Sequence, residues 1–128
     1  VFALTAARLA AGMPPDAVGS VTRDLVTLPI AEPHERADGM VIGEVIHVDR
    51  FGNLITNVDH KLLKDDRSYR VSIGDLLFDH VSMTYGDAMR GEPLALVGSS
   101  GLLEIAVNFG SAADNLGLGR GEKVRVSI

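Results

Sequence analysis

The sequence has no cysteine and no tryptophan, and its 128 residues include only two tyrosines and four phenylalanines. Without cysteine the protein can form no disulfide and carry out no thiol chemistry, which fits a cytoplasmic protein. With so few aromatic rings, the core must consist mainly of Val, Leu, Ile and Ala. An aromatic residue in a loop is therefore a candidate functional residue.

Basic residues are also scarce, since 12 Lys and Arg stand against 17 Asp and Glu, and the formal net charge is -5. Nucleic-acid surfaces usually carry a basic patch, so we expect no nucleic acid as a partner. No apolar stretch approaches the roughly 20 residues of a membrane helix, and the start lacks the basic segment of a signal peptide. We therefore expect no membrane partner either.

The four histidines show no metal-site spacing. His47 and Asp49 lie two apart on a predicted strand, whereas His34, His60 and His80 are scattered along the chain. The nucleophile elbow of Ser-His-Asp hydrolases is absent as well. We predict no metal site and no hydrolase triad.

Residues 1–38 are predicted to form a helix and a linker. Phe2–Ala11 is rich in Ala and Leu, Gly12 can close the helix, and Pro14–Pro15 prevents its continuation. Pro29–Gly39 is polar and typical of a linker. Because Val1 opens directly on a helical pattern with no cap before it, we expect a fragment of a longer protein. The alternative is a chain trimmed of a short tail.

Residues 39–128 are predicted to be mainly β, a small β-barrel of about seven strands. Val- and Ile-rich segments with partial alternation are separated by turn residues. Gly74-Asp75 is a two-residue hairpin that suits a type II′ turn, and Ser111–Gly117 has the capping pattern of a short helix. The predicted strands are Met40–Asp49, Leu54–Val58, Tyr69–Ile73, Leu76–Val81, Leu94–Val97, Leu103–Asn108 and Lys123–Ile128.

A first candidate binding stretch follows the first of these strands. Asp49 is followed by Phe51, Gly52 and Asn53 in a tight bend. An exposed phenyl ring can stack on a purine while an amide reads the edge of the base. The alternative is a plain β-turn in which Asn53 bonds its own backbone.

A second stretch is Gly98-Ser99-Ser100-Gly101. Its small residues allow the backbone to approach a ligand, and its hydroxyls and amides offer hydrogen bonds. It is not a P-loop, because the lysine and the spacing of that motif are missing. A plain turn between two strands is the alternative.

A third stretch, Met83–Asp87, carries one of the two tyrosines. Tyr85 can stack on a ligand or simply cover the end of the barrel. The residues themselves leave both readings open.

Three motifs follow one another along the chain: DRFGNLITNV (Asp49–Val58), GSSGLLEIAVNFGSAA (Gly98–Ala113) and LGLGRGEKVRV (Leu116–Val126). Together they resemble the S-adenosylmethionine hydroxide adenosyltransferases, relatives of the fluorinase and chlorinase enzymes. The opening VFALTAARLAAG (Val1–Gly12) is similar to the helix after the inter-domain region of that family. The resemblance covers nearly the whole chain.

The resemblance implies a two-domain subunit, an α/β domain followed by a β-barrel domain like this one, so the first helix would be the end of the α/β domain. It also implies a homotrimer in which the substrate lies between one subunit's first domain and its neighbour's barrel. In the reaction, water or hydroxide displaces methionine from the 5′ carbon of S-adenosylmethionine and gives adenosine. No metal or redox cofactor is implied, because the sulfonium is already a good leaving group.

At the methionine end of the substrate, the resemblance implies three binding residues. Asp49 would meet the ammonium group in a charge-assisted contact. Ser99 and Ser100 would hold the amino-acid end, largely through their backbone.

At the adenine end, the resemblance implies five residues. Phe51 and Asn53 would border the base, with Asn53 hydrogen-bonding its edge. Tyr85 falls where the family places an aromatic ring against the purine. Asn108 and Phe109 would line the pocket.

The sequence departs from the fluorinase pattern, which has a proline inside the Asp-to-Phe turn and an arginine where Ser100 stands. Both departures favour hydroxide over halide as nucleophile. The family's catalytic Asp, Arg and His would lie upstream of Val1, so we expect no catalytic residue in this chain and no turnover by it alone. The alternative function is a non-catalytic module that binds a nucleoside or mediates oligomer contacts. A barrel for single-stranded nucleic acid is disfavoured by the negative charge.

Overall fold

The computed structural model describes residues 2–27, 29–63 and 69–127. Over these ranges it contains two α-helices, eight β-strands and three short 3₁₀-helices. The α-helices are α1 (Phe2–Ala10) and α2 (Ala112–Leu116), and the 3₁₀-helices are Pro15–Ala17, His60–Leu62 and Tyr85–Asp87. The strands are β1 (His34–Glu35), β2 (Val41–Val48), β3 (Leu54–Asp59), β4 (Arg70–Ile73), β5 (Leu76–Phe78), β6 (Pro93–Val97), β7 (Leu102–Val107) and β8 (Lys123–Ser127).

The strands form a nearly closed, barrel-like antiparallel sheet in the order β5-β4-β8-β2-β3-β7-β6, with β1 paired to β2. Strand β2 pairs with β8 on one side and β3 on the other, and its register shifts between Val45 and His47. Such a bulge bends a strand, so one strand can serve both halves of the sheet. After β5 the chain bridges from Ser82 to Leu96 of β6, which brings the two ends of the path together. The predicted mainly β class and the barrel of about seven strands are confirmed.

The core lies inside this curved sheet and is aliphatic, as predicted. Strand β2 alternates strictly, with Val41, Gly43 and Val45 buried and the residues between them partly exposed. Burying one such valine or leucine contributes about 1.5–3 kcal/mol. The buried side chains of the core are Val41, Val45, Leu54, Val58, Tyr69, Val71, Ile73, Val81, Ala95, Leu103, Ile105, Val107, Ala112, Val124 and Val126.

The predicted N-terminal helix is confirmed as α1, which ends just before Gly12 at φ +92°. No residue of α1 is buried. The linker prediction was wrong at two residues of Pro29–Gly39, because His34 and Glu35 form β1 and pair with the start of β2. Gly39, at φ +82°, supplies the left-handed turn that this short hairpin needs. The domain boundary between residues 38 and 39 stays a prediction.

The strand prediction was too long at Leu76–Val81, since β5 ends at Phe78. The physical reason is that the chain must leave β5 there to reach β6 across the barrel. The Gly74-Asp75 hairpin is confirmed, with Ile73 paired to Leu76 and Gly74 at φ +54°. At the other end β8 stops at Ser127, and the predicted last residue, Ile128, lies outside the described residues. None of the helices over the described ranges is long and apolar enough to span a bilayer.

Candidate functional site

The bend from Asp49 to Asn53 is closed by the Asp49 side chain. Its Oδ1 accepts hydrogen bonds from the backbone N–H of Phe51 at 2.8 Å and of Asn53 at 2.9 Å. Gly52 has φ +82°, and its N–H donates to the Asp49 carbonyl at 3.0 Å. The turn residue that bonds the backbone is therefore Asp49 and not Asn53, so the Asn53 amide is left for other partners.

The same bend is pressed against the start of α2. The Ser111 side chain caps this helix by accepting from Asp114 N–H, and the Ala113 N–H donates to the Gly52 carbonyl at 2.9 Å. A Cβ atom added to Gly52 would lie 2.0 Å from Ser111 Oγ and 2.9 Å from Ser111 Cα. Only glycine combines this conformation with this approach.

The Asn53 amide joins the bend to a distant loop. Asn53 is 6% exposed, and its Nδ2 donates to Asp49 Oδ2 at 3.1 Å and to the Tyr85 hydroxyl oxygen at 3.2 Å. An amide nitrogen carries two hydrogens, and both are thus committed. Tyr85 and Glu104 both line one cavity of this site, and their hydroxyl and carboxyl groups influence each other's titration. We call Asp49–Asn53–Tyr85–Glu104 the polar chain.

Tyr85 opens the 3₁₀-helix Tyr85–Asp87, whose N-cap is Thr84 and whose last residue, Asp87, completes the capping box. One Asp87 oxygen accepts from the backbone N–H of Met83 at 2.7 Å and of Thr84 at 3.1 Å, and the other from the Thr84 hydroxyl at 3.2 Å. The hydrogen bonds from Thr84 and Met83 hold the pKa of Asp87 below its ordinary value. The cap therefore sets the direction from which the Tyr85 ring enters the site.

Glu104 lies in the middle of β7, between two residues that point into the core, Leu103 and Ile105. Its side chain lies on the opposite face and is only 7% exposed. Burial, and then the negative charge of Asp49, raise the pKa of the Glu104 carboxyl, while the nearby Tyr85 hydroxyl opposes the shift. Burial and the charges of Glu104 and Asp49 likewise raise the pKa of the Tyr85 hydroxyl.

Two exposed phenyl rings border the site. Phe51 is 63% exposed with the Arg50 guanidinium 4.8 Å from its ring centre, and Phe109 is 78% exposed with Arg90 at the same distance. Phe109 has φ +57°, which is uncommon for a residue other than glycine and is typical of functional loops. Both rings are therefore held at the surface, where they can stack on a ligand.

Two cavities meet at a common wall formed by Phe51, Asn53 and Tyr85. The aromatic cavity, of about 520 Å³, is lined by Phe51, Asn53, Tyr85, Val107, Asn108, Phe109 and Gly110. The acidic cavity, of about 470 Å³, is lined by Asp49, Phe51, Asn53, Met83, Thr84, Tyr85, Leu96, Val97, Gly98, Ser99 and Glu104. Among the residues that the structure describes, the lining of the acidic cavity includes two carboxylates and no basic side chain.

The structure brings seven of the eight predicted site residues to these two cavities, and Ser100 is the exception. Ser99 lines the acidic cavity, whereas Ser100 is exposed at the tip of the turn closed by the Gly98 and Gly101 backbone. The Asn108 side chain lines the aromatic cavity and donates from Nδ2 to the Ala88 carbonyl at 2.8 Å.

Glu104 was not predicted as a site residue, although it lies within the motif Gly98–Ala113. The signal in the sequence was a lone acid inside the apolar run Leu102–Val107. Acids are almost never fully buried in a strand unless a polar partner lies beside them. Within the ranges that the structure describes, no group of three His, Asp or Glu side chains could hold a metal ion.

Known proteins resemble this chain in both sequence and fold. The family model of the SAM hydroxide adenosyltransferase C-terminal domain matches residues 43–125. The chain is 42% identical to the (R)-S-adenosyl-L-methionine hydrolase of Thermus thermophilus and 40% identical to that of Salinispora tropica. These matches cover 98% and 99% of the chain but 46% and 48% of the relatives. The chain therefore spans about half the length of these relatives.

Solved structures agree with the sequence matches. An uncharacterized conserved protein from Thermotoga maritima is 36% identical, with a TM-score of 0.69 over 100% of this chain and 51% of that one. A conserved hypothetical protein from Thermus thermophilus is 41% identical, with a TM-score of 0.66 over 98% of this chain and 50% of that one. Both matches cover nearly the whole of this chain.

Proposed function

The chain belongs to the S-adenosylmethionine hydroxide adenosyltransferase family, whose C-terminal domain it contains, and from this we propose that it is the substrate-binding barrel of an enzyme that converts S-adenosylmethionine and water to adenosine and methionine. Curated relatives with the name (R)-S-adenosyl-L-methionine hydrolase support the reaction. Because the chain spans about half of each relative, the activity belongs to the full-length protein.

The observation that carries this proposal is the pair of cavities on either side of one wall. S-adenosylmethionine has an ammonium group at one end and a purine at the other, with the sulfonium between them. The acidic cavity offers the Asp49 and Glu104 carboxylates to a cation, and the aromatic cavity offers the Phe51 and Phe109 rings to a flat base. One molecule can thus place its two ends on the two sides of the wall.

In the proposed assignment Asp49 meets the ammonium group, helped by the backbone around Ser99. Phe51, Tyr85 and Phe109 border the adenine. Asn53 stands between the two ends, which suits a residue that fixes both at once. Ser100 lies outside both cavities in this structure, so its predicted role has the weakest support.

The reaction itself is a displacement at the 5′ carbon. A bond forms between the hydroxide oxygen and that carbon, the carbon–sulfur bond breaks, and its electron pair stays on sulfur, which leaves as the neutral thioether of methionine. We propose that no metal or redox cofactor takes part, because the positive sulfonium is already a good leaving group. The barrel then contributes alignment and the removal of water, and the groups that activate the nucleophile belong to the rest of the full-length protein.

The oligomer implied by the resemblance, a homotrimer with the site between subunits, belongs to the same proposal. Apolar side chains exposed along residues 2–30 support an interface with another domain or subunit, among them Phe2, Val21, Leu25, Val26 and Ile30. Light scattering of the full-length protein tests the trimer by mass. A cytoplasmic location stays a prediction.

The test of the reaction is incubation of the full-length protein with S-adenosylmethionine in ¹⁸O-labelled water, followed by chromatography and mass spectrometry. We expect adenosine with ¹⁸O at the 5′ position and methionine in equal amounts. Formation of a halogenated nucleoside in chloride or bromide buffer would show that halide, and not hydroxide, is the nucleophile. Tight binding of adenosine with no conversion at all would favour the nucleoside-binding module.

A further inference from the structure

Glu104 has no role in the function proposed above beyond its charge, yet its position is strongly determined. It occupies the middle of β7, where its backbone pairs with Ile55 of β3 and Leu96 of β6. Its side chain shares a face of β7 with Ala106, which belongs to a small apolar cluster with Leu94 and Leu96. A carboxylate on such a face destabilises the fold unless its oxygens are bonded.

The Tyr85 hydroxyl is a donor in the same cavity lining as Glu104, and its role as a donor follows from its contact with Asn53. The Asn53 amide nitrogen donates to the Tyr85 oxygen at 3.2 Å, so that oxygen is an acceptor in this contact. The hydroxyl proton of Tyr85 is then free to point at Glu104, whose ionised carboxylate can only accept. Asn53, 32 positions before Tyr85, thus holds the tyrosine oxygen from one side, and an acceptor at Glu104, 19 positions after it, would hold it from a second.

The space for the Glu104 carboxylate is provided by Gly98. A Cβ atom at residue 98 would lie 1.6 Å from Glu104 Oε1 and 2.1 Å from its Cδ. Gly98 donates its N–H to the Leu102 carbonyl at 2.9 Å and thereby closes the turn at the mouth of the acidic cavity. The carboxylate thus lies against this turn, in the cavity lining that it shares with Tyr85.

We propose that Glu104 is a positioning residue: by accepting the Tyr85 hydroxyl proton it holds the Tyr85 ring in the wall between the two cavities, and so sets where the two ends of the substrate lie. The inference rests on the proposed function, since it assigns Glu104 a role in binding the same substrate. Without this acceptor the ring loses one of the two contacts that fix its hydroxyl.

Steady-state kinetics of the full-length protein test the inference with a double-mutant cycle. Loss of a hydrogen bond to a charged group weakens binding by about tenfold to a hundredfold. We expect Glu104→Ala to raise KM for S-adenosylmethionine by about tenfold or more with a smaller change in kcat, and Tyr85→Phe to do the same. The double variant should resemble Tyr85→Phe alone to within about threefold, because both changes remove one contact.

Two further variants separate positioning from mere support of the fold. Glu104→Gln keeps an acceptor oxygen and is expected to restore KM to within about threefold of the wild type. Glu122→Ala removes an exposed glutamate outside both cavities and should change nothing. Two results would overturn the inference, provided that the wild type converts the substrate. One is a double variant whose increase in KM is the sum of the two single effects in free energy. The other is a Glu104→Gln variant whose KM is as high as that of Glu104→Ala.

A second readout does not depend on activity or on the alanine variant folding. The pKa of the Tyr85 hydroxyl, followed by NMR of ¹³Cζ-tyrosine, should fall in Glu104→Gln, because the negative charge that raises it is gone while Asp49 remains. An unchanged Tyr85 titration overturns the contact between Tyr85 and Glu104. Absence of conversion by the wild type, with the expected fall in this pKa, would instead overturn the proposed function alone.

Discussion

The Glu104 carboxylate occupies the volume that any side chain at Gly98 would need, with Oε1 only 1.6 Å from the position of a Cβ atom there. The atoms in the way are the far end of a flexible side chain and not backbone. The absence of a side chain at one residue and the presence of an acid at the other are therefore complementary parts of one arrangement.

The first prediction concerns this pair. Gly98→Ala should displace the carboxylate from Tyr85 and raise KM for S-adenosylmethionine about tenfold, as removal of Glu104 does. The fold should lose no more than the 1–3 kcal/mol or so typical of overpacking, since the glutamate can swing aside. Gly119→Ala is the matched control, because a Cβ atom there meets nothing within 4 Å. A normal KM in folded Gly98→Ala would contradict the prediction.

The second prediction places a severe loss of stability at Gly52. A Cβ atom there would lie 2.9 Å from the Ser111 backbone, which cannot swing aside, and φ of +82° is itself strained for alanine. Gly52→Ala should therefore lower the free energy of unfolding by more than about 2 kcal/mol, measured by urea denaturation of the full-length protein. The Gly119→Ala control should unfold like the wild type, and equal stability of the two variants would contradict the close approach.

The third prediction compares two neighbours in the bend. Asn53→Ala leaves Asp49 and Tyr85 without a shared donor and should weaken binding of S-adenosylmethionine about tenfold to a hundredfold. Arg50→Ala removes only the contact between a cation and the exposed Phe51 ring. Such a contact contributes about 0.5–1 kcal/mol, so the affinity should fall about two- to fivefold at most. Titration calorimetry measures both affinities. Equal, small effects would count against the assignment of Asn53 to the substrate site.

The fourth prediction follows from the raised pKa of Glu104. Between the ordinary pKa of glutamate in the unfolded chain and the raised pKa in the fold, the folded protein binds more protons. The contribution of Glu104 to the free energy of unfolding therefore falls as the pH rises through this window. A glutamine side chain has no proton to lose, so Glu104→Gln should gain in melting temperature relative to the wild type as the pH rises from the ordinary pKa of glutamate to the raised pKa. A constant difference across this range would show that the carboxyl titrates normally.

The fifth prediction has the opposite sign and concerns Asp87. Its pKa is lowered by hydrogen bonds from Thr84 and Met83, so the stability that it contributes is present above the ordinary pKa of aspartate and is lost as pH falls through the lowered value. Asp87→Asn should loosen the loop of Tyr85 at neutral pH, seen as faster amide exchange at Met83 and Thr84. In strong acid the variant and the wild type should exchange alike. Asp16→Asn, at an exposed acid far along the sequence, is the control.

Individual residues show which parts of the fold and of the site could be predicted from the sequence. Strands and the Gly74 hairpin were predictable because alternation and turn chemistry are local. Strand β1 was not, since two polar residues become a strand only by pairing with β2. Asp49, Phe51 and Asn53 were found through one short motif. Glu104 was missed because its meaning depends on Tyr85, which lies 19 residues away and meets it only in the folded barrel.

The residues of the polar chain lie far apart in the sequence. This separation links ligand binding to the stability of the folded protein. Asn53 and Tyr85 are joined across 32 positions, so neither cavity exists before β3, the Tyr85 loop and β7 have come together. A ligand that needs both cavities recognises only the completed fold, and at a hundredfold above its Kd it adds about 2.7 kcal/mol to the stability. Scarcity of that ligand would leave more of the chain open to proteolysis, so the amount of this protein would follow the supply of what it binds.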